Sequence, residues 1–249
     1  MYEFTYKFTS TLSAVVAAAA LLALSACGQH DKAASRAPAS DVAATPRPAA
    51  PDLPTADPDT PEGSYVTLTR GAQLMFLYEA FSGLPPDYER MATELSSEYR
   101  GTSDSFRKHD LLEALKVRYS AAIGQAKAHP YVIWEDNDSG LQAYDFDRKG
   151  FALNNPLFHD GGYGYMNDLG GFRLNFTNGS AAGFIPMADQ NLARRIESIR
   201  VHRGIPMKIY AFVQSADDAG GRTVHAQVVK LEFLDPGSRQ PLFERKLVH

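Results

Sequence analysis

The chain has 249 residues, of which 44% are hydrophobic and 22% charged, with a formal net charge of −4 and one cysteine. A slightly acidic balance with no basic stripe argues against a nucleic-acid partner. A single thiol excludes an intrachain disulfide, so stability has to come from a conventional apolar core.

The first elements in chain order concern address rather than fold. Lys7 and the amino terminus stand against Glu3, ahead of an apolar run over 12–24. That run suits the core of a signal peptide and is short for a membrane-spanning helix, so residues 1–26 read as a cleaved leader. It closes on Leu24-Ser25-Ala26-Cys27. These residues resemble the lipobox of bacterial lipoproteins, which implies thioether lipidation of Cys27, cleavage before it, and acylation of the new amino terminus. An ordinary secretory leader would instead leave a free thiol near the mature terminus of an exported chain. At about 0.8 kcal/mol per buried methylene, two or three acyl chains moor a protein to the bilayer permanently. By the same resemblance, Gly28 in place of Asp after the cysteine implies the outer membrane of a Gram-negative envelope, on its periplasmic side.

From Cys27 to Gly63 the composition shifts to Ala, Pro, Asp, Ser and Thr, with prolines at 38, 46, 48, 51, 54, 58 and 61. Such a segment has too little apolar surface to offset chain entropy, and its prolines interrupt any helix. The expectation is a disordered tether spanning on the order of 30 Å as a flexible coil and roughly 110 Å if fully polyproline.

About 185 residues remain, a size that suits a single domain, expected over 64–249. Thr69 is placed to cap a helix over 70–81 in which Leu74, Met75, Leu77, Tyr78 and Phe81 leave few polar faces. Pro85-Pro86-Asp87 starts a second, with Tyr88, Met91, Leu95 and Tyr99 on one stripe before Gly101. A third carries Leu112, Leu115, Tyr119, Ala122, Ile123 and Ala126 at intervals of three and four, with Asp110 and Glu113 at capping-box spacing. Phe76, Phe81, Tyr88 and Tyr119 are expected to be packing residues.

Beyond His129 the period changes to two. Strands are expected over 131–135, 141–147 and 151–153, with a turn at 147–150. Phe172, Leu174 and Phe176 alternate with Arg173, Asn175 and Thr177, which points to a sheet with one face on the core and suggests antiparallel pairing. A helix over 189–199 presents Leu192, Ala193, Ile196 and Ile199. Met207, Ile209, Ala211 and Val213 define one side of the next strand. In the strand from Thr223 the apolar phase runs Val224, Ala226, Val228 and then Val229, Leu231, Phe233. One inserted residue restores both sets to one face, so a β-bulge is expected at Val228-Val229. Residues 241–247 follow as an edge strand. The expected fold is α+β: about three N-terminal helices, then an antiparallel sheet with one further helix packed on it.

Several stretches, Gln73-Leu74-Met75-Phe76-Leu77-Tyr78 with Ala80-Phe81-Ser82-Gly83, Glu98-Tyr99-Arg100, Asp110-Leu111-Leu112, and Tyr144-Asp145-Phe146-Asp147 followed by Phe151, are similar to a family of bacterial lipoproteins of unknown function. The similarity spans nearly the whole folded part, and its motifs are structural. It implies no reaction, substrate or catalytic residue.

The common catalytic patterns fail one by one. Gly179-Ser180-Ala181-Ala182-Gly183 lacks the intervening residue of a nucleophile elbow. His109-Asp110-Leu111-Leu112-Glu113 lacks the second histidine of a zinc-protease helix, and Gly162-Tyr163-Gly164-Tyr165-Met166-Asn167 lacks the third glycine of a dinucleotide loop. The acidic run 135–140 has Phe146 where a calcium loop needs its closing glutamate, and reads better as a polar turn. No metal or cofactor is expected. What remains is a long glycine-rich loop over 154–171, of the kind that is either functional or mobile. Its Tyr163 and Tyr165 are ligand-binding candidates, able to stack on a sugar ring or a partner's side chain. Asp145, Asp147, His159 and Asp160 form the one acid, base or metal constellation worth testing. The expected function is a lipid-anchored, non-enzymatic binding module in the periplasm, taking a protein or a cell-wall component. The alternative is a periplasmic hydrolase of cell-wall glycan or peptide.

Overall fold

Residues 53–248 are described by a computed structural model of the chain. The leader, Cys27 and the tether as far as residue 52 lie outside the described residues. The fold is mixed α+β, with five α-helices and two sheets among the described residues, their strand pairing mostly antiparallel. No helix among the described residues is long and apolar enough to cross a membrane.

The helical layer follows the short strand β1 (Val66–Thr67) and comprises α1 (Gly71–Phe81), α2 (Tyr88–Leu95), α3 (Ser97–Gly101) and α4 (Ser105–Ala128). Leu74, Met75, Leu77 and Tyr78 of α1 are all buried, each apolar side chain contributing about 1.5–3 kcal/mol. At the start of α1, Gln73 rather than Thr69 does the capping: its Oε1 accepts from the Thr69 and Arg70 N–H groups at 2.7 and 2.9 Å. Asp87 caps α2 by accepting from the Arg90 N–H at 2.9 Å. The third predicted helix starts earlier than its capping-box pattern suggested. Asp104 accepts from the Arg107 N–H at 3.0 Å, so Asp110 and Glu113 fall inside α4, where Glu113 pairs with Lys116 at 2.6 Å. Nothing between Ser105 and His109 breaks a helix, so propagation outruns the local cap signal. Tyr119 is buried, while Phe76, Phe81 and Tyr88 pack against the core from partly buried positions.

The larger sheet runs β1, β2 (Tyr131–Asp136), β7 (Met207–Asp217), β8 (Thr223–Leu234) and β5 (Arg173–Phe176), with β9 (Pro241–Lys246) sharing the outer edge of β8. The smaller sheet is antiparallel, in the order β3 (Leu141–Asp145), β4 (Gly150–Leu153) and β6 (Phe184–Pro186). Helix α5 (Gln190–Arg200) is capped by Asp189, which accepts from the Asn191 and Leu192 N–H groups. It contacts β3, where Glu197 accepts from the Tyr144 N–H at 3.2 Å.

The expectation of one antiparallel sheet is corrected on two counts. The strands divide into two sheets, and the larger contains two parallel pairings, β1 with β2 and β5 with β8. Alternation along 172–176 did report burial correctly, since Phe172, Leu174 and Phe176 are all core residues. Burial of a face carries no information about the direction of the neighbouring strand. The bulge stands where parity placed it: Ala211 faces Val228 and Tyr210 faces Lys230, so Val229 is the extra residue. Val224, Ala226, Val228, Leu231 and Phe233 are in consequence all fully buried.

Residues 53–63, assigned from composition to the tether, lie along the larger sheet. The Gln214 Nε2 donates to the Pro54 carbonyl at 2.6 Å, the Ala56 N–H donates to Gln227 Oε1 at 2.8 Å, and the Asp57 N–H donates to the Tyr131 hydroxyl at 2.9 Å. Ala56 is only 4% exposed. Glu62 pairs with Lys230, and the Tyr65 ring meets those of Tyr131 and Tyr210 edge-on at 5.2 and 5.1 Å. Prolines suit this strap, because their fixed φ limits the freedom a non-helical segment must give up on docking.

Candidate functional site

The glycine-rich loop over 154–171 is pinned along its length. At its start Asn155, 3% exposed, donates through Nδ2 to Asp136 Oδ2 at 2.9 Å and accepts the Leu157 N–H at 3.0 Å. In its middle, Gly164 exchanges two 2.8 Å backbone hydrogen bonds with Leu174. Near its end Asp168 accepts the Gly71 N–H at 2.8 Å, tying the loop to the first turn of α1. A buried carboxamide, a β-bridge and a helix terminus therefore anchor the loop at three points.

Two of the glycines are required by space. A Cβ at Gly162 would lie 2.0 Å from the Pro156 carbonyl oxygen, and one at Gly164 would lie 2.8 Å from the Trp134 ring. With Gly164 turned inward, its neighbours turn outward. Tyr163 is 46% and Tyr165 60% exposed. The Arg173 guanidinium lies 4.4 Å from the Tyr163 ring centroid and donates to the Gly220 carbonyl at 2.8 Å, so one face of that ring is backed by a held cation. The Gly162 carbonyl accepts from Asn175 Nδ2 at 2.7 Å.

Beside this platform is a polar cleft of about 220 Å³ lined by His159, Asp160, Asn175, Thr177 and Ser180 among others. His159 and Asp160 are thus neighbours at one rim, both exposed. Asp145 and Asp147 have a different task. Asp145 Oδ1 accepts the Asp147 and Arg148 N–H groups at 2.9 and 2.8 Å, closing the turn between β3 and β4, and Asp147 is exposed on that turn. No hydrogen bond or ion pair among the described residues joins either aspartate to His159 or Asp160. The acidic run at 135–140 is a turn in which Asp136 and Asp138 accept the Asp138 and Gly140 N–H groups, each at 3.1 Å. Among the described residues, no group of three or more His, Cys, Asp or Glu side chains has the geometry to hold a metal ion.

No protein-family model, curated protein or solved structure matches the chain.

Sequence reasoning missed His225. It lies on the polar side of β8, with Nε2 3.0 Å from Asp217 Oδ2 and Nδ1 3.4 Å from Asn175 Oδ1. Its place in the polar phase between Val224 and Ala226 was legible, but its partners come from β7 and β5. A second concavity, of about 310 Å³, lies between α1, α4 and β1, with walls of Leu68, Phe76, Leu77, Ala122, Ala126 and Val132. Gln73 on its rim is committed to capping α1, and Gln125 and His129 are the other polar residues of a lining that is otherwise apolar. The tyrosine loop instead combines exposed aromatic faces, a fixed backbone and a polar cleft, the usual components of a recognition surface.

Proposed function

We propose that the chain is a lipid-anchored envelope protein whose folded domain is a non-enzymatic binding module for a periplasmic protein or a cell-wall component. The address rests on the lipobox-like residues ending at Cys27, and the attachment is assigned to acyl chains on that sulfur. The activity rests on one observation: Tyr163 and Tyr165 are exposed on either side of a glycine locked into a β-bridge. Rigid aromatic side chains lose little entropy on binding, which is why tyrosines dominate recognition surfaces.

The test pairs the intact protein with a Tyr163→Ala, Tyr165→Ala double variant. Both are presented to envelope extract and, separately, to purified cell-wall sacculi. Retention by the wild type that falls at least about tenfold in the variant is expected, the scale of losing one or two aromatic anchors. Equal retention by both proteins refutes the reading. Mass spectrometry of the native protein checks the address, with a chain beginning at acylated Cys27 as the expected product. The hydrolase alternative ranks lower because the aspartates it would recruit serve the β3–β4 turn. Turnover of cell-wall fragments by the pure protein would reverse that order.

A further inference from the structure

The tyrosine platform is joined to a histidine by a chain of side chains drawn from three strands. Asn175 uses both ends of its carboxamide: Nδ2 donates to the Gly162 carbonyl at 2.7 Å, and Oδ1 faces His225 Nδ1 at 3.4 Å. The other imidazole nitrogen faces Asp217 Oδ2 at 3.0 Å. A carbonyl can only accept, so Gly162 dictates which end of Asn175 carries the nitrogen. Both His225 nitrogens are therefore opposite acceptors.

That arrangement is satisfied in full by an imidazolium, which donates from both nitrogens. A neutral imidazole has one N–H to give. If it gives that to the charged Asp217, the stronger acceptor, the Nδ1 lone pair is left against Asn175 Oδ1. Turning the carboxamide over relieves that clash but sets Oδ1 against the Gly162 carbonyl. If the proton sits on Nδ1 instead, Asn175 is satisfied and a lone pair opposes the Asp217 carboxylate, which costs more. On β8 itself Thr223 and Gln227 share the face of His225 and carry no charge, while the loop brings His159 and Asp160 to the cleft that Asn175 lines. On β7 the facing charge is Asp217. On β5 it is Arg173, two residues from Asn175 and engaged with Gly220 and Tyr163.

We infer that His225 is a pH-sensitive positioning residue: protonated, it aligns Asn175 to hold the Gly162 carbonyl and so fixes the Tyr163–Tyr165 platform; neutral, it releases that hold. The inference rests on reading the tyrosine loop as the binding surface, and it assigns regulation by pH to that surface.

The experiment is amide hydrogen exchange on the intact protein, with no ligand present, at about pH 5 and about pH 8, expressed as protection factors that remove the intrinsic pH effect. The reporters are the Gly162 N–H, which donates to His159, and the Gly164 N–H, which donates to Leu174. Ile209 of β7, fully buried and on a strand flanked by β2 and β8, reports the global fold. Protection at both glycines is expected to fall by about five- to tenfold from the lower to the higher pH, the equivalent of one hydrogen bond, with Ile209 unchanged. His225→Gln should abolish the difference, and Asn175→Ala should leave protection low at both pH values. A wild type with equal protection at both pH values overturns the inference without any variant, as does a folded His225→Gln protein that keeps the difference. Because no partner is present, this outcome is separate from the binding reading, which fails on equal retention of the tyrosine variant.

Discussion

At the scale of single residues, the platform depends on atoms that are missing. Gly164 has no Cβ because Trp134 and Leu157 occupy its place. Gly164→Ala should therefore force the Trp134 ring to shift and cost about 1–3 kcal/mol in urea unfolding, the range of an overpacked core position. A cost near zero would mean the bridge is looser than its hydrogen bonds indicate. Tyr65 and Tyr78 set a second expectation. Burial pushes the Tyr65 phenol up to about 12, with Tyr131, Asp57 and Glu62 adding to the effect. Burial likewise raises Tyr78 to about 12, with the Asp218 carboxylate adding to the effect. Each is thus held protonated in the fold beyond the ordinary phenol value of about 10. The unfolded chain loses these protons first, so the stability they contribute is intact below about pH 10 and drains away towards about pH 12. Denaturant midpoints should be flat up to about pH 9 and then fall, and Tyr65→Phe should flatten part of that fall.

At the scale of elements, α1 and α2 are joined through a buried ion pair. Glu79, with a side chain 2% exposed, pairs with Arg90 and also accepts the Asp87 N–H at 3.3 Å. The Arg90 guanidinium lies 5.5 Å from the Phe172 ring, and Arg222 lies 5.2 Å from the same ring while pairing with Glu94 at 3.7 Å. Arg90→Met strands a buried carboxylate and should destabilise by about 3–5 kcal/mol. Glu79→Leu combined with Arg90→Met should recover most of it, since an apolar pair of similar volume is often as stable as the ions. A double variant no better than the single one would show that the desolvated charge is not the source of the loss. Most element positions were legible before any of this. Leu74, Met75 and Leu77 announced α1, Leu192, Ala193, Ile196 and Ile199 announced α5, and the parity change at Val228-Val229 announced its bulge. The burial of Glu79 was not legible, because its partner is on another helix. Nor was the start of α4, where a strong cap pattern at Asp110 sits inside a longer helix.

At the scale of the whole molecule, the feature with most consequence is the strap. Residues 53–63 have the composition of a linker, yet Gln214, Gln227, Tyr131 and Lys230 hold them to the larger sheet. Whatever pulls on the chain from its amino-terminal side meets these contacts before it meets β1. Ala56→Arg should break them, because a charged side chain cannot replace a methyl group that is 4% exposed. Limited proteolysis within 53–63 should quicken by about tenfold or more while cleavage within β7 and β8 stays slow, as expected for a local opening. Unchanged cleavage in the strap would mean that other contacts secure it.

The sequence alone determined where most of the longer helices and strands lie and which of their faces are apolar, because periodicity records the exposure of neighbouring positions and is complete within a dozen residues; the short strands β1 and β6 and the break between α2 and α3 carry no such period. It also singled out Tyr163 and Tyr165 from the length and composition of their loop. Tertiary structure alone decided the parallel pairings of β1 and β5, the seating of the strap, the separation of Asp145 and Asp147 from His159, and the joining of His225 to Asn175. Each of these depends on which distant segments meet. Strand direction and side-chain partnership are set by closure of the whole chain, and no local pattern of polarity encodes them.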